Sequence, residues 1–196
     1  MHGLTPEVKN PGWDMFFFYS CKNNTRRDDI AKTVKEWLGR EIKFPENISC
    51  YVFGIETLPK QCDDCFQREY KVLFYVDSIG CDICKLNLIE WRQIIEEADS
   101  LFPKKVGFLL YFQPQNLEEI GNWISKNMFD YPVFMDTLGT INLLNQFPQE
   151  MQHQCYLLDK SNKVLAIGNP ALNIQIWELY KKIFLMTMKL TNKTIY

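Results

Sequence analysis

The sequence has no excess of charge of one sign, no long hydrophobic run, no internal repeat and no low-complexity linker. Its 22 basic and 24 acidic residues give a formal charge of -2, so the composition offers no electrostatic case for binding nucleic acid. No apolar run approaches the roughly 18 residues that a membrane-spanning helix needs, which excludes an internal transmembrane segment. The chain has 196 residues, of which 46% are hydrophobic. This is the composition of one globular domain, alone or with an N-terminal extension.

Cysteine is present at an intermediate level. Seven cysteines are too few to build a disulfide scaffold for a chain of this length, and too many to be ignored as background. Four of them form two C-x-x-C pairs, Cys62/Cys65 and Cys81/Cys84. The functional interpretation depends on which pair has a setting suited to thiol chemistry.

The N-terminal segment carries a weak export pattern. Apolar residues 15–19 precede Ser20 and Cys21, as in a bacterial lipoprotein signal that ends at a lipidated cysteine. The pattern lacks a basic start, and Asp14 interrupts the apolar stretch, so a disordered tail with a chance cysteine is the alternative. The first interpretation predicts a lipoprotein anchored through Cys21 to the inner or outer membrane, on the periplasmic side. The second leaves a cytoplasmic location open.

The remaining chain alternates between strand and helix patterns. A short helix is predicted over 28–39 and a strand over 48–55, followed by buried strands over 72–76, 106–112, 131–135, 155–158 and 164–167. Helices are predicted from Cys84 to Ala98 and over 116–126, 138–144 and 171–186, with Asn116 as an N-cap. This order predicts an α/β core.

Four segments follow from these patterns. They are a tail or degenerate lipoprotein signal over 1–27, a helix and strand extension over 28–70, the core over 71–187, and a C-terminal tail over 188–196.

Cys81 and Cys84 lie where the strand over 72–76 gives way to a helix. One stripe of that helix is predicted to contain Cys84, Leu88, Trp91, Ile95 and Ala98. The first turn of a helix carries unpaired N–H groups and a partial positive charge, which stabilise a thiolate. We therefore expect Cys81 to be the exposed nucleophile, with its pKa lowered, and Cys84 to be the resolving thiol beneath it. Lys85 favours this thiolate, whereas Asp82 opposes it.

The pair Cys62/Cys65 lies in a predicted loop with proline and aspartate residues. A zinc site formed by both pairs fits the spacing, but the extended segment 71–77 would span roughly 23 Å between them, too far for four sulfurs around one metal. A local disulfide or second redox pair is one interpretation of Cys62/Cys65. A reduced surface loop is the other.

Two motifs resemble the thioredoxin-like family, in particular its TlpA-type and alkyl hydroperoxide reductase/thiol-specific antioxidant branch. They cover residues 72–85 and 155–170. The resemblance implies a thioredoxin-like fold, with a central mixed sheet flanked by helices and an N-terminal extension. It also implies thiol–disulfide exchange through Cys81 and Cys84, protein disulfides as substrates, and a membrane electron donor upstream. No cofactor and no metal are implied for this function.

The sequence departs from the family pattern around the dithiol. His153 occupies the position of the family's cis-proline, where it could share a proton with Cys81; a solvated loop histidine is the alternative. Gly80 replaces the tryptophan before the first cysteine, and Tyr75 replaces a buried acid. Proton transfer during resolution is therefore not specified by the family pattern.

Two other functions remain open. A thiol peroxidase is the first, since the branch includes peroxiredoxins and Ser78 matches part of their Pro-x-x-x-Thr/Ser-x-x-Cys motif, although Phe74 replaces the proline. The second is a non-catalytic module that binds a partner or a metal, for which His153 beside a dithiol would suit copper or zinc.

Overall fold

The computed structural model describes residues 28–46, 48–57, 62–78, 86–150 and 154–193, without the side chains of 187–193. The chain divides into two compact units, residues 1–36 and 37–196. The described part of the first unit is helical: residues 28–37 form helix α1, where the sequence predicts a helix over 28–39. The second unit contains all the other elements.

A seven-stranded mixed sheet forms the centre of the second unit. Its strands, in chain order, are β1 (Ser49–Val52), β2 (Ile55–Thr57), β3 (Tyr70–Val76), β4 (Val106–Phe112), β5 (Val133–Met135), β6 (Cys155–Leu158) and β7 (Val164–Ile167). The spatial order is β2-β1-β5-β4-β3-β6-β7. Strands β3, β4 and β5 are parallel, whereas β6 pairs antiparallel with β3. This is the mixed sheet that the resemblance implies.

Five helices connect the strands or follow them. They are α2 (Asp63–Phe66), α3 (Leu88–Leu101), α4 (Leu117–Lys126), α5 (Thr140–Asn145) and α6 (Ile174–Lys193). Helix α3 was expected to start near Cys84, but it begins at Leu88, because Asn87 has the left-handed backbone angles φ 47° and ψ 46°. Helix α6 was expected to end at Met186, but it continues to Lys193.

The predicted strand over 48–55 is a hairpin instead. Phe53 and Gly54 form the turn between β1 and β2 with φ values of 53° and 74°, the left-handed geometry that favours tight hairpins. An apolar residue at the first turn position hides this turn from sequence patterns. Strand β1 also pairs with β5, through Cys50 and Phe134. Residues 48–57 are therefore part of the same sheet as the core strands.

One face of the sheet is covered by α3 and α6. Val72, Phe74 and Val76 alternate along β3 toward this face. Phe74 packs on Trp91 of α3 with ring centroids 5.0 Å apart. At the other end of the strand, Tyr70 packs on Phe184 of α6. Both helices are amphipathic, and burial of these large rings stabilises the fold.

The opposite face is packed with aromatic rings from loops and short elements. Tyr75 of β3 and Tyr156 of β6 both contact Phe147, with ring centroids 5.1 and 5.2 Å apart. Trp37 stacks on Phe147 and contacts Tyr156. Because both faces are covered, β3 and β4 are buried along their whole length. This explains why their sequences are continuous apolar runs rather than alternating ones.

Candidate functional site

The carboxyl end of β3 and the start of β6 lie side by side where these two interior strands end, at the β3/β6 edge. Phe74 pairs with Cys155 across these strands, and the amide of Tyr75 donates a 3.0 Å hydrogen bond to the carbonyl oxygen of Gln154. The chain after Ser78 and the chain before Gln154 therefore join the sheet at neighbouring positions. In the sequence, the predicted dithiol follows this end of β3, and the predicted histidine directly precedes Gln154.

Most of the predicted site residues lie outside the described residues. Cys81, Cys84 and Lys85 belong to segment 79–85, and His153 belongs to segment 151–153. Their roles stay predictions. Ser78 is described: it is half-buried, and its carbonyl oxygen accepts a 2.8 Å hydrogen bond from Nε2 of Gln115. This bond holds the last described residue before the predicted nucleophile.

Gln154 is a buried polar residue at this edge that the sequence reasoning missed. Its side chain is 1% exposed, and its Nε2 donates to the carbonyl oxygen of Pro148 at 2.8 Å. The same nitrogen lies 3.4 Å from Oδ2 of Asp77. Within the described part of the chain, its Oε1 has no hydrogen-bond partner. A buried amide oxygen of this kind is costly, so Gln154, together with Asp77, marks this end of β3 and β6 as a polar site beside the apolar core.

Tyr75 stands where the family pattern has a buried acid, and its environment keeps it protonated. Burial raises the pKa of its hydroxyl well above the ordinary value, and the nearby carboxylates of Asp77 and Asp136 raise it further. The hydroxyl donates a 3.0 Å hydrogen bond to Oε1 of Gln113. At neutral pH Tyr75 therefore acts as a hydrogen-bond donor and cannot serve as a general base.

Cys62 pairs with Cys50 rather than with Cys65. The structure contains a Cys50–Cys62 disulfide with the Cα atoms 6.6 Å apart, so in this form Cys62 and Cys65 are not a local disulfide. They are not a reduced surface loop either, because they are only 1% and 7% exposed. The physical reason for the Cys50–Cys62 pairing is topological: β1 carries Cys50 and is brought into the sheet by β5, next to the N-cap of α2 at Cys62. In this oxidised form Cys62 cannot ligate zinc. Within the described residues, no three His, Cys, Asp or Glu side chains cluster closely enough to hold a metal ion.

The two free cysteines that the structure describes are buried. Cys65 is 7% exposed, and Cys155 is fully buried. Burial raises the pKa of both thiols, so both stay protonated at neutral pH. Neither has the exposed, low-pKa character of an attacking cysteine.

The described helices give no indication of a membrane span. None of them is long and apolar enough to cross a bilayer. Cys21, the predicted lipid anchor, lies outside the described residues.

Similarity to known proteins is found at the level of structure. No family model matches the chain, and no curated protein sequence matches it. Among solved structures, a reduced 2-Cys peroxiredoxin from Plasmodium vivax superimposes with a TM-score of 0.53 at 14% identity, covering 78% of this chain and 99% of that one. A mutant of PrxQ from Xylella fastidiosa gives a TM-score of 0.53 at 8% identity, covering 74% of this chain and 95% of that one. The chain has a thioredoxin-like fold.

A further similar structure is StoA from Bacillus subtilis, with a TM-score of 0.45 at 15% identity over 68% of this chain and 99% of that one. The thioredoxin-like fold confirms the expected architecture, with its mixed sheet and flanking helices. At these identities the similarity shows the fold only.

Proposed function

We propose that the protein is a thiol–disulfide oxidoreductase. The Cys81 thiolate attacks a disulfide in a partner protein, forming a mixed disulfide and releasing one partner thiolate, which takes up a proton. Cys84 then attacks the Cys81 sulfur, forms the Cys81–Cys84 disulfide and releases the second partner thiol. The partner gains two electrons, and the dithiol of this chain loses them.

One observation carries this proposal. In the sequence, a C-x-x-C pair follows strand β3 of a thioredoxin-like fold, and the end of β3 lies beside the start of β6. A C-x-x-C motif alone is a weak signal. In this strand setting it becomes a specific redox signature.

The polar residues at this edge support the same chemistry. Gln154 fixes the chain around Pro148 and lies against Asp77, while Gln115 holds the carbonyl of Ser78. We propose that these contacts position the two segments that carry the dithiol and His153. Because Tyr75 remains protonated, His153 is the proposed group for exchanging a proton with Cys81. Lys85 would favour the thiolate.

A thiol peroxidase is the second candidate, because the Plasmodium vivax and Xylella fastidiosa structures, both with TM-scores above 0.5, are peroxiredoxins. In that reaction Cys81 would attack a peroxide, and Cys84 would condense with the resulting sulfenic acid, releasing water. Phe74 opposes it. This residue takes the place of the motif's proline, and it lies within β3 with its ring packed on Trp91.

We propose protein disulfides as substrates and an electron donor in the membrane as the upstream partner. An oxidising compartment such as the bacterial periplasm, with anchoring through Cys21, is the proposed location. The Cys50–Cys62 disulfide supports it, because disulfides persist in such compartments.

The deciding experiment is the reduction of insulin with dithiothreitol as electron source. Wild type should catalyse it, Cys81→Ser should abolish catalysis, and Cys84→Ser should accumulate mixed disulfide. Cys155→Ala is the matched control, because that thiol is free but fully buried, and it should turn over like wild type. Equal turnover by wild type and Cys81→Ser would contradict the proposal. Fast consumption of hydrogen peroxide would favour the peroxidase, and zinc or copper retained stoichiometrically through purification would favour the metal-binding module.

A further inference from the structure

A further cluster of cysteines is carried by β1 and by α2 with its N-cap. Cys50, Cys62 and Cys65 are 0%, 1% and 7% exposed. Cys50 and Cys62 form the disulfide, and the amide of Cys65 donates a 3.2 Å hydrogen bond to the carbonyl oxygen of Cys62. A free thiol therefore lies one turn of chain from one sulfur of a disulfide. The proposed function uses none of these three residues.

The thiol of Cys65 is held in a defined position. Its Sγ lies 3.4 Å from Oη of Tyr131, and that hydroxyl accepts a 3.1 Å hydrogen bond from the amide of Phe108 on β4. Helix α2 packs closely on the same strand: the carbonyl of Cys65 is so near Gly107 that any side chain at Gly107 would overlap it. Burial raises the pKa of the Cys65 thiol, and the hydroxyl of Tyr131 counteracts part of this rise. The thiol is thus protonated and at rest near neutral pH.

We propose that these three cysteines form a second thiol–disulfide site, in which Cys65 exchanges with the Cys50–Cys62 disulfide. Once deprotonated, the Cys65 sulfur leaves Tyr131 and attacks the sulfur of Cys62. The Cys62–Cys65 bond forms, the Cys50–Cys62 bond breaks, and Cys50 departs as a thiolate that takes up the proton lost by Cys65. The step is an isomerisation, so it needs no oxidant or reductant. The C-x-x-C spacing is one at which disulfides form.

The exchange would change the covalent attachment of the β1–β2 hairpin, which forms one outer edge of the sheet. In the observed form, the disulfide ties β1 to the start of α2. In the exchanged form, this covalent link is lost, and the β1–β2 hairpin is retained by its pairing with β5. Strand β2 pairs with β1 alone in the described sheet, and its residues Ile55 and Glu56 are exposed. The site is therefore a switch between a tied and an untied sheet edge.

The test maps disulfides in the full chain carrying Cys21→Ser, Cys81→Ser and Cys84→Ser, so that the result does not depend on the proposed function. The folded protein is incubated at about pH 7 and about pH 9, since the exchange rate follows the thiolate fraction. It is then acid-quenched, alkylated with N-ethylmaleimide and digested with trypsin. The observed form gives peptide 44–60 joined to peptide 61–68, with the alkyl group on Cys65. The exchanged form gives peptide 61–68 closed internally, with the alkyl group on Cys50.

We expect the initial rate of exchange to rise about tenfold per pH unit in this range, and to be independent of protein concentration. Cys155→Ala, the other buried free cysteine, should leave the exchange unchanged. Cys65→Ala should abolish alkylation of Cys50. The proposal is overturned if only the Cys50–Cys62 pairing appears at both pH values while circular dichroism shows a folded chain. It is also overturned if Cys155→Ala suppresses the exchange, or if Cys50 is alkylated in Cys65→Ala.

Discussion

Glu97 of α3 and Lys181 of α6 form an ion pair, with 2.7 Å between Oε1 and Nζ. The other carboxylate oxygen of Glu97 accepts a 2.8 Å hydrogen bond from the indole Nε1 of Trp177. The hydrogen bond from Lys181 lowers the pKa of Glu97, and the bond from Trp177 lowers it further against the opposing effect of burial. One carboxylate thus joins the two helices that cover the same face of the sheet.

Glu97→Ala should destabilise the fold by about 1 to 2 kcal/mol at pH 7, because buried Trp177 loses its acceptor and the ion pair is partly screened by solvent. Since the folded pKa of Glu97 is lowered, its contribution is present above the unfolded value of about 4.3 and is lost as the pH falls through the folded value. Urea unfolding at about pH 7 and about pH 3 measures this. The difference from wild type should shrink at the lower pH, and a constant difference would contradict the argument.

Asp136 is expected to be essential for the turn after β5. Its carboxylate is buried and accepts hydrogen bonds of 2.9 and 2.8 Å from the amides of Thr140 and Ile141 at the start of α5. Asp136→Ala leaves one buried and one part-buried amide without acceptors, at a cost of about 2 to 4 kcal/mol. Asp136→Asn keeps one acceptor oxygen and should cost roughly half as much. Chemical denaturation of wild type and the two variants tests this order of stabilities. Equal stability of the two variants would contradict the role of the two hydrogen bonds to the carboxylate.

Gly107 should not tolerate a side chain, because a Cβ atom there would overlap the backbone of Cys65. Gly107→Ala should destabilise by about 1 to 3 kcal/mol and displace α2, which exposes the Cys65 thiol. Gly39→Ala is the control: it strains a residue at φ 77° but meets no atom within 4 Å. Labelling of native Cys65 with N-ethylmaleimide should accelerate in Gly107→Ala only. Unchanged labelling there would mean that α2 does not depend on this close approach.

The fall in the free energy of unfolding at alkaline pH should depend on Cys155. Burial raises its pKa in the fold, so the folded thiol stays protonated where the unfolded thiol ionises, above about pH 8.5. Stability is then fully present below that pH and falls by up to about 1.4 kcal/mol per pH unit above it. We expect Cys65→Ala/Cys155→Ala to lose less stability than Cys65→Ala between about pH 8.5 and 10. The shared Cys65→Ala background removes the proposed exchange, and parallel pH curves would refute the assignment.

Much of the fold was predictable because its signals are local. Strands β4, β6 and β7 have the predicted bounds, since apolar runs of strand length end at clear turn residues. The N-cap of α4 was predicted as well: Oδ1 of Asn116 accepts a 3.2 Å hydrogen bond from the amide of Glu119. Such features need no knowledge of distant residues.

The features that sequence reasoning missed are set by tertiary structure. The pairing of Cys50 with Cys62 depends on β1 joining β5 across the sheet, and no spacing rule encodes that. The start of α3 is fixed by the left-handed Asn87, whereas the apolar stripe continues back to Cys84. Gln154 was missed because a glutamine in a loop shows no pattern until Pro148 and Asp77 surround it.

Loss of the hydrogen bond from Gln115 to Ser78 should lower activity far more than stability. Gln115 is exposed, and the bond from its Nε2 to the Ser78 carbonyl is 2.8 Å long, so Gln115→Ala should change the unfolding free energy by less than about 0.5 kcal/mol. Because Ser78 precedes the segment carrying Cys81, loosening it should lower kcat/KM for insulin reduction by about tenfold. Asn122→Ala, on the exposed surface of α4, is the control and should leave both quantities unchanged. A fall in stability that matches the fall in activity would show that Gln115 supports the fold rather than the position of the dithiol.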